Sequence, residues 1–186
     1  VEGLSFDFHK AHAHKNKIMD TMRDGIAGLM KKYKVEVVEG DAQLLPGLKI
    51  SVNGETHEAD NVLLCTGSSP AKPPIPGIDS EHVVDSTGIL NREILPERLV
   101  IVGGGVIGCE FACMYASVGV PVTVLEAMSE ICPNLDKDIS AVLREELSKK
   151  GVQFKLETKV ESIGPRSVSF ADSEGSGSIE GDLVLV

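Results

Sequence analysis

The sequence has 186 residues, 42% of them hydrophobic, with 18 basic against 28 acidic side chains and a formal charge of −10. That is enough chain for one or two domains with a real core, and the acidic balance argues against a nucleic-acid partner. No apolar run is long enough to cross a bilayer and no stretch reads as a signal peptide, so a soluble cytoplasmic protein with no membrane partner is expected.

Residues 9 to 32 open the chain with Ile18, Met22, Ile26, Leu29, Met30 and Tyr33 recurring at three and four residues, which predicts an amphipathic helix burying one stripe. His9, His12 and His14 on its first turns lack partners at metal-ligand spacing and read as a solvated face. Met19, Met22 and Met30 read as packing. Val35 to Val38 predicts a strand. Leu48 to Val52 and Glu55 to Ala59 flank Asn53-Gly54, the dipeptide of a two-residue type I′ turn, and predict a small antiparallel meander. Asn61 to Cys65 reads as a buried strand running into Thr66-Gly67-Ser68. Pro70, Pro73, Pro74 and Pro76 then stiffen a linker, which places a domain boundary near residue 80.

Beyond the linker strands and helices alternate: strand 99–102, helix 105–118, strand 122–125, helix 136–150 and strand 153–157. Short links between such elements make right-handed βαβ units and a parallel sheet. The fold class expected for 81–186 is therefore α/β, a Rossmann-like parallel sheet with helices on both faces. Ile139, Val142, Leu143 and Leu147 are the expected inward face of the second helix, and Lys149, Lys150 and Gly151 its terminus. Lys159 to Ile163, Ser167 to Phe170 and Ile179 onward read as further strands around a mobile polar loop, Asp172 to Gly181. The sequence begins at Val1 and stops inside the apolar run Asp182 to Val186, so a piece of a longer protein is expected.

The chemistry concentrates at Gly103-Gly104-Gly105-Val106-Ile107-Gly108, with Glu126 following 18 residues after Gly108 at the end of the next apolar strand. A strand before the glycines, a helix after them and an acid at this distance form a dinucleotide-binding pattern. Gly103 permits the tight turn, Gly105 lets backbone approach a pyrophosphate, and Gly108 lets the helix pack on the strand. The diphosphate would meet free N–H groups at the positive end of the helix dipole. A carboxylate at position 126 accepts hydrogen bonds from a ribose diol and repels a 2′-phosphate. No arginine lies between it and Arg144, so the cofactor read from these residues is NAD and not NADP.

The four cysteines, Cys65, Cys109, Cys113 and Cys132, form no CxxC pair. Cys109 and Cys113 share a helical face in poor disulfide geometry, and all four are expected as small buried residues in a reducing compartment.

The run Val102 to Ala112, the acid in Val124-Leu125-Glu126-Ala127, and Leu64-Cys65-Thr66-Gly67-Ser68-Ser69-Pro70 ahead of a proline linker resemble the flavin-dependent pyridine nucleotide disulfide oxidoreductases, nearest to the dihydrolipoamide-oxidising members. The resemblance spans essentially the whole chain and keeps the family's order and spacing. It implies that residues 1–80 are the latter part of an FAD domain, with Ala42, Thr66, Gly67 and Ser68 beside the flavin nucleotide. It further implies that 81–186 are most of an NAD domain, with Gly103 to Gly108 and Glu110 around the pyrophosphate, Glu126 on the adenosine ribose and Val160 near adenine. Glu110 is also implied near the flavin's reactive face. The implied partners are dihydrolipoamide carried on a lipoyl-bearing protein of a 2-oxoacid dehydrogenase or glycine cleavage complex, and a second copy in a homodimer.

The family's redox cysteine pair and its C-terminal acid-base pair are not in this sequence. No two thiols here are expected to close a disulfide, so the chain by itself is expected to be inactive. Mercuric reductases, transhydrogenases and coenzyme A disulfide reductases share the same middle region. A nonenzymatic NAD-sensing module would reuse the βαβ unit, but the absence of a basic helix counts against it.

Overall fold

In the computed structural model, residues 5–186 are described. They form two compact units, Lys10–Ser69 and, with the residues up to His9, Pro70–Val186.

In the first unit, helix α1 (Phe8–Lys32) has the expected length but buries none of its residues. Ile18, Met19, Met22, Ile26 and Leu29 are all exposed. The periodicity foretold the helix correctly, and the burial failed because no second layer covers the stripe among the described residues. The helix ends with Lys34 in the left-handed region at φ 57, and Val35 N–H donates to the Met30 carbonyl. The strand expected at Val35–Val38 does not form. Likewise Asn61–Cys65 is irregular, with Leu63 87% exposed, and Cys65 is exposed where a buried thiol was expected. An apolar run becomes a strand only where a neighbouring strand takes up its N–H and C=O groups, and neither run has such a neighbour among the described residues. The meander does form. Strands β1 (Ala42–Leu45), β2 (Lys49–Val52) and β3 (Glu55–Glu58) pair antiparallel in that order, turning between the last two at Asn53 (φ 52) and Gly54 (φ 87). The torsions are those of the type I′ turn that the dipeptide foretold. Strand β1 had no signature in the sequence.

The second unit is built on a five-stranded parallel sheet. Its strands are β4 (Val83–Val84), β5 (Leu99–Val102), β6 (Val122–Leu125), β7 (Gln153–Lys155) and, last in the chain, β11 (Leu183–Leu185); the spatial order is β4-β11-β5-β6-β7. Leu99, Ile101, Val122, Val124, Leu183 and Leu185 point to one face, where they meet Ile89 of α2 (Ser86–Leu90), Phe111, Ala112 and Tyr115 of α3 (Val106–Ser117), and Leu147 of α4 (Lys137–Lys149). The alternate residues Val100, Leu125 and Val184 pack on Ile163, Val168 and Phe170. These come from a second, antiparallel sheet of β8 (Lys159–Ile163), β9 (Ser167–Asp172) and β10 (Gly175–Glu180).

The α/β class is therefore the expected one, with one difference in its layers: the helices lie on one face and the antiparallel sheet covers the other. The reason is topological. The β5-α3-β6 and β6-α4-β7 crossovers step across the sheet in the same direction, and right-handed crossovers then put both helices on the same side.

Helices α3 and α4 stop the same way. Gly119 (φ 90) donates to the Ala116 carbonyl while Val120 donates to that of Tyr115, and Gly151 (φ 94) donates to Ser148 while Val152 donates to Leu147. Each glycine takes the left-handed turn that lets two terminal carbonyls find donors. On α4 the inward face is Ser140, Leu143 and Leu147, whereas Ile139 and Val142, expected inward, are exposed at 57% and 60%. Ser140 Oγ donates to the Cys132 carbonyl, and Arg144 forms a two-pronged ion pair with Glu130 at 2.8 and 3.0 Å, which turns that face toward the loop after β6.

The segment expected as a mobile loop, Asp172–Gly181, is mostly β10, paired with β9 over six positions through a two-residue turn. Its glycines serve packing: a Cβ on Gly177 would sit 2.6 Å from the Phe170 ring. No helix among the described residues is long and apolar enough to cross a membrane.

Candidate functional site: the glycine turn after strand β5

Three elements meet where β5 ends. The strand gives way to Gly103, whose φ of 103 only glycine adopts freely, and α3 begins at Val106 with Gly105 as its unblocked N-terminal cap. A Cβ on Gly108 would lie 2.3 Å from the Gly103 carbonyl oxygen, so the helix can pass this close to the turn only without a side chain there.

Gly105 differs from both. Its torsions, φ −69 and ψ 179, suit any residue, and a Cβ built on it meets nothing within 4 Å. Nothing inside the protein requires glycine at 105. The space left open faces a cleft of about 450 Å³ lined by Gly103, Gly105, Val106, Ile107 and Gly108 and, from the neighbouring strand, by Leu185 and Val186. It lies at the carboxyl ends of the parallel neighbours β5 and β11, the end of an open α/β sheet at which ligands usually bind. The first amides of α3 have no side-chain cap, so they are available to an anion.

Glu126 directly follows β6 on the other side of the turn, and it is 7% exposed. Its Oε2 accepts from Gly104 N–H at 2.6 Å and its Oε1 from Met128 N–H at 2.7 Å. Its own backbone is fixed on both sides, the N–H donating to the Lys155 carbonyl and the C=O accepting from Thr158. A carboxylate offers about four lone-pair sites, so two bonded amides leave room for a pair of hydroxyl donors. The middle glycine has a reason of its own here, since a Cβ on Gly104 would meet Ile131 at 2.9 Å and the Glu126 carboxylate at 3.2 Å. The first arginine after the acid, Arg144, is committed to Glu130, which holds that carboxyl below its ordinary pKa.

The other expected residues lie elsewhere. Glu110 is exposed on α3. Val160 faces Phe170 across the antiparallel sheet and packs on its apolar cluster, away from the cleft lining. Ala42 pairs with Val52 in β1, while Thr66, Gly67 and Ser68 form an exposed irregular stretch in which Gly67 takes φ 70. Pro70, which the sequence marked only as part of the linker and of the family-like run, lines the cleft, as do Ala71 and Ser86, which carried no motif signal.

Sequence reasoning also missed a pair of thiols below the turn. Cys109 and Cys132 are both buried with their sulfurs 3.9 Å apart, a proximity the sequence did not suggest, although neither is in a disulfide. The two are separated by 23 residues in sequence, which no spacing rule detects.

The pyridine nucleotide-disulphide oxidoreductase profile matches residues 2–186. The chain belongs to that family. Among curated members of this oxidoreductase family, the dihydrolipoyl dehydrogenase of Acholeplasma laidlawii is 35% identical over 187 residues, covering 98% of this chain and 56% of its own length. That of Bacillus subtilis is 36% identical over 161 residues, 84% of this chain and 35% of its own. The chain thus spans between about a third and just over half of such relatives. Among solved members, the HOCl-induced flavoprotein disulfide reductase RclA of Escherichia coli superposes with a TM-score of 0.82 at 33% identity, over 97% of this chain and 42% of that one. A water-forming NADH oxidase of Lactobacillus brevis, solved bound to NADH, gives 0.64 at 26% identity, over 78% and 36%.

Proposed function

We propose that the Pro70–Val186 unit binds NAD(H) in the cleft after β5, as the nicotinamide-dinucleotide site of a flavoprotein that oxidises dihydrolipoamide. The observation that carries this reading is Gly105: it lines the cleft at the start of α3 with ordinary torsions and open space where a Cβ would stand, so a ligand can approach the backbone there. The diphosphate would rest on the amides that open α3, with Gly105 letting it approach. The ribose diol would use the free lone pairs of Glu126, held in place by Gly104 and Met128. A phosphate in place of the 2′-hydroxyl would meet that carboxylate, which favours NAD over NADP. Bound NAD supplies a hydride acceptor; this unit's own residues bind and orient it.

In the same reading Ala42 and Thr66–Ser68 contribute to an FAD site, and the redox disulfide and acid-base pair come from parts of the protein outside this sequence. The electron donor is a lipoyl-bearing protein, and the working protein is a cytoplasmic homodimer. The names of the relatives support the dihydrolipoamide assignment. Titration of NADH and NADPH into wild-type and Gly105→Ala protein tests the core of it. Wild type binds NADH more tightly than NADPH, and the alanine variant keeps its fold and loses NADH. Equal affinity for both nucleotides, or undiminished binding by Gly105→Ala, overturns it.

A further inference from the structure

Cys109 and Cys132 are tied to the glycine turn as well as to each other. Cys109 Sγ donates to the Gly104 carbonyl at 3.4 Å, and Cys132 N–H donates to the same oxygen at 2.8 Å. Cys132 stands at φ 47, a left-handed conformation unfavourable to a non-glycine residue. Ser140 holds its carbonyl, and neighbouring Ile131 packs under Gly104. The loop after β6 is thereby fixed with one sulfur aimed at the other. Contact at 3.9 Å is short of the 2.05 Å of an S–S bond, but a shift of about 2 Å closes it.

We propose that Cys109 and Cys132 are a reversible dithiol-disulfide pair whose closure by hydrogen peroxide loosens the glycine turn. In the first step one sulfur gives an electron pair to peroxide, the O–O bond breaks, and sulfenic acid and water form. In the second the other sulfur displaces the hydroxyl, the S–O bond breaks, the S–S bond forms, and a second water leaves with the thiol proton. Two thiols are oxidised by two electrons and one peroxide is reduced to two waters. Closure removes the S–H donor that Cys109 gives to the Gly104 carbonyl and pulls on Cys132, whose N–H holds the same oxygen, so the turn is held less firmly on its carbonyl side. Burial, and next the neighbouring Cys132, push the Cys109 thiol up to about 12, so closure is slow at neutral pH and suits a small uncharged oxidant. The effect on nucleotide rests on the function proposed above.

The test compares the reduced full chain with chain treated with peroxide, capped with N-ethylmaleimide, digested without reductant and mapped by mass spectrometry. The expected result is one peptide joining Cys109 to Cys132, lighter than its parts by two hydrogens and lost on adding dithiothreitol. Hydrogen exchange at Gly103–Gly105 is several-fold faster in the oxidised chain, and NADH binding several-fold weaker, both restored by reduction. Separate maleimide labels or sulfinic acids on Cys109 and Cys132 overturn the proposal, as does a disulfide that leaves exchange at the turn unchanged. A reduced chain that binds no NADH counts against the nucleotide site instead, and the map and exchange data still decide the thiol pair.

Discussion

Gly104 N–H donates to Glu126 Oε2 at 2.6 Å, joining the turn after β5 to the end of β6 across 22 residues of sequence. The acid is therefore part of the fold before any nucleotide arrives. In Glu126→Gln one of the two amide bonds is weakened and the charge is lost. The expected destabilisation is about 1.5–3 kcal/mol, the range for a hydrogen bond to a charged group. Urea denaturation measures it, and NADH titration of the folded fraction shows a parallel loss of affinity. A variant as stable as wild type would show that the buried carboxylate does not brace the turn.

Two of the motif glycines, Gly108 and Gly105, separate by experiment. Gly108→Ala forces a Cβ to 2.3 Å from a backbone carbonyl, and overpacking of this kind against main chain costs about 1–3 kcal/mol or more. Gly105→Ala meets no atom and no strained torsion, so its melting temperature stays near that of wild type while NADH binding fails. Calorimetry paired with titration distinguishes the two outcomes.

Tyr115 is fully buried, and its hydroxyl has no hydrogen-bond partner among the described residues. Removing that oxygen removes an unmet desolvation cost. Tyr115→Phe is expected to stabilise the protein by about 1 kcal/mol, read as a higher urea midpoint with an unchanged slope; a lower midpoint would refute it.

Alkaline pH is expected to weaken the fold in a defined window. The Cys109 thiol stays protonated in the folded chain up to about 12, against an ordinary value of 9.0. Above the ordinary value the unfolded chain releases this proton and the folded chain keeps it, so the folded state binds more protons and stability falls as pH rises. The contribution is intact below pH 9.0 and is lost between there and about 12, with a slope of at most about 1.4 kcal/mol per pH unit. Cys109→Val flattens that slope in denaturation measured across the window.

The βαβ core was legible because its signals are local: apolar strands, glycines at fixed offsets, and Gly151 where the second helix ends. What escaped was set by partners distant in sequence. Asn61–Cys65 has the composition of a strand but no neighbour, whereas Asp172–Gly181 has the composition of a loop and finds β9, because Gly177 fits against Phe170. The candidate site divides the same way. The glycines and the acid were visible, but the anchoring of Glu126 to Gly104 and the meeting of Cys109 with Cys132 belong to tertiary structure alone.

Strand β11, last of the five in chain order, fills the slot between β4 and β5. During synthesis the two earlier strands therefore leave the ribosome with unmatched edges facing each other across a gap. Parallel pairing at such long range is slow because loop closure precedes any reward, and open edges invite association between nascent chains. The parallel sheet is thus complete only once β11 has been made, and a chaperone-poor host is expected to yield this unit as inclusion bodies.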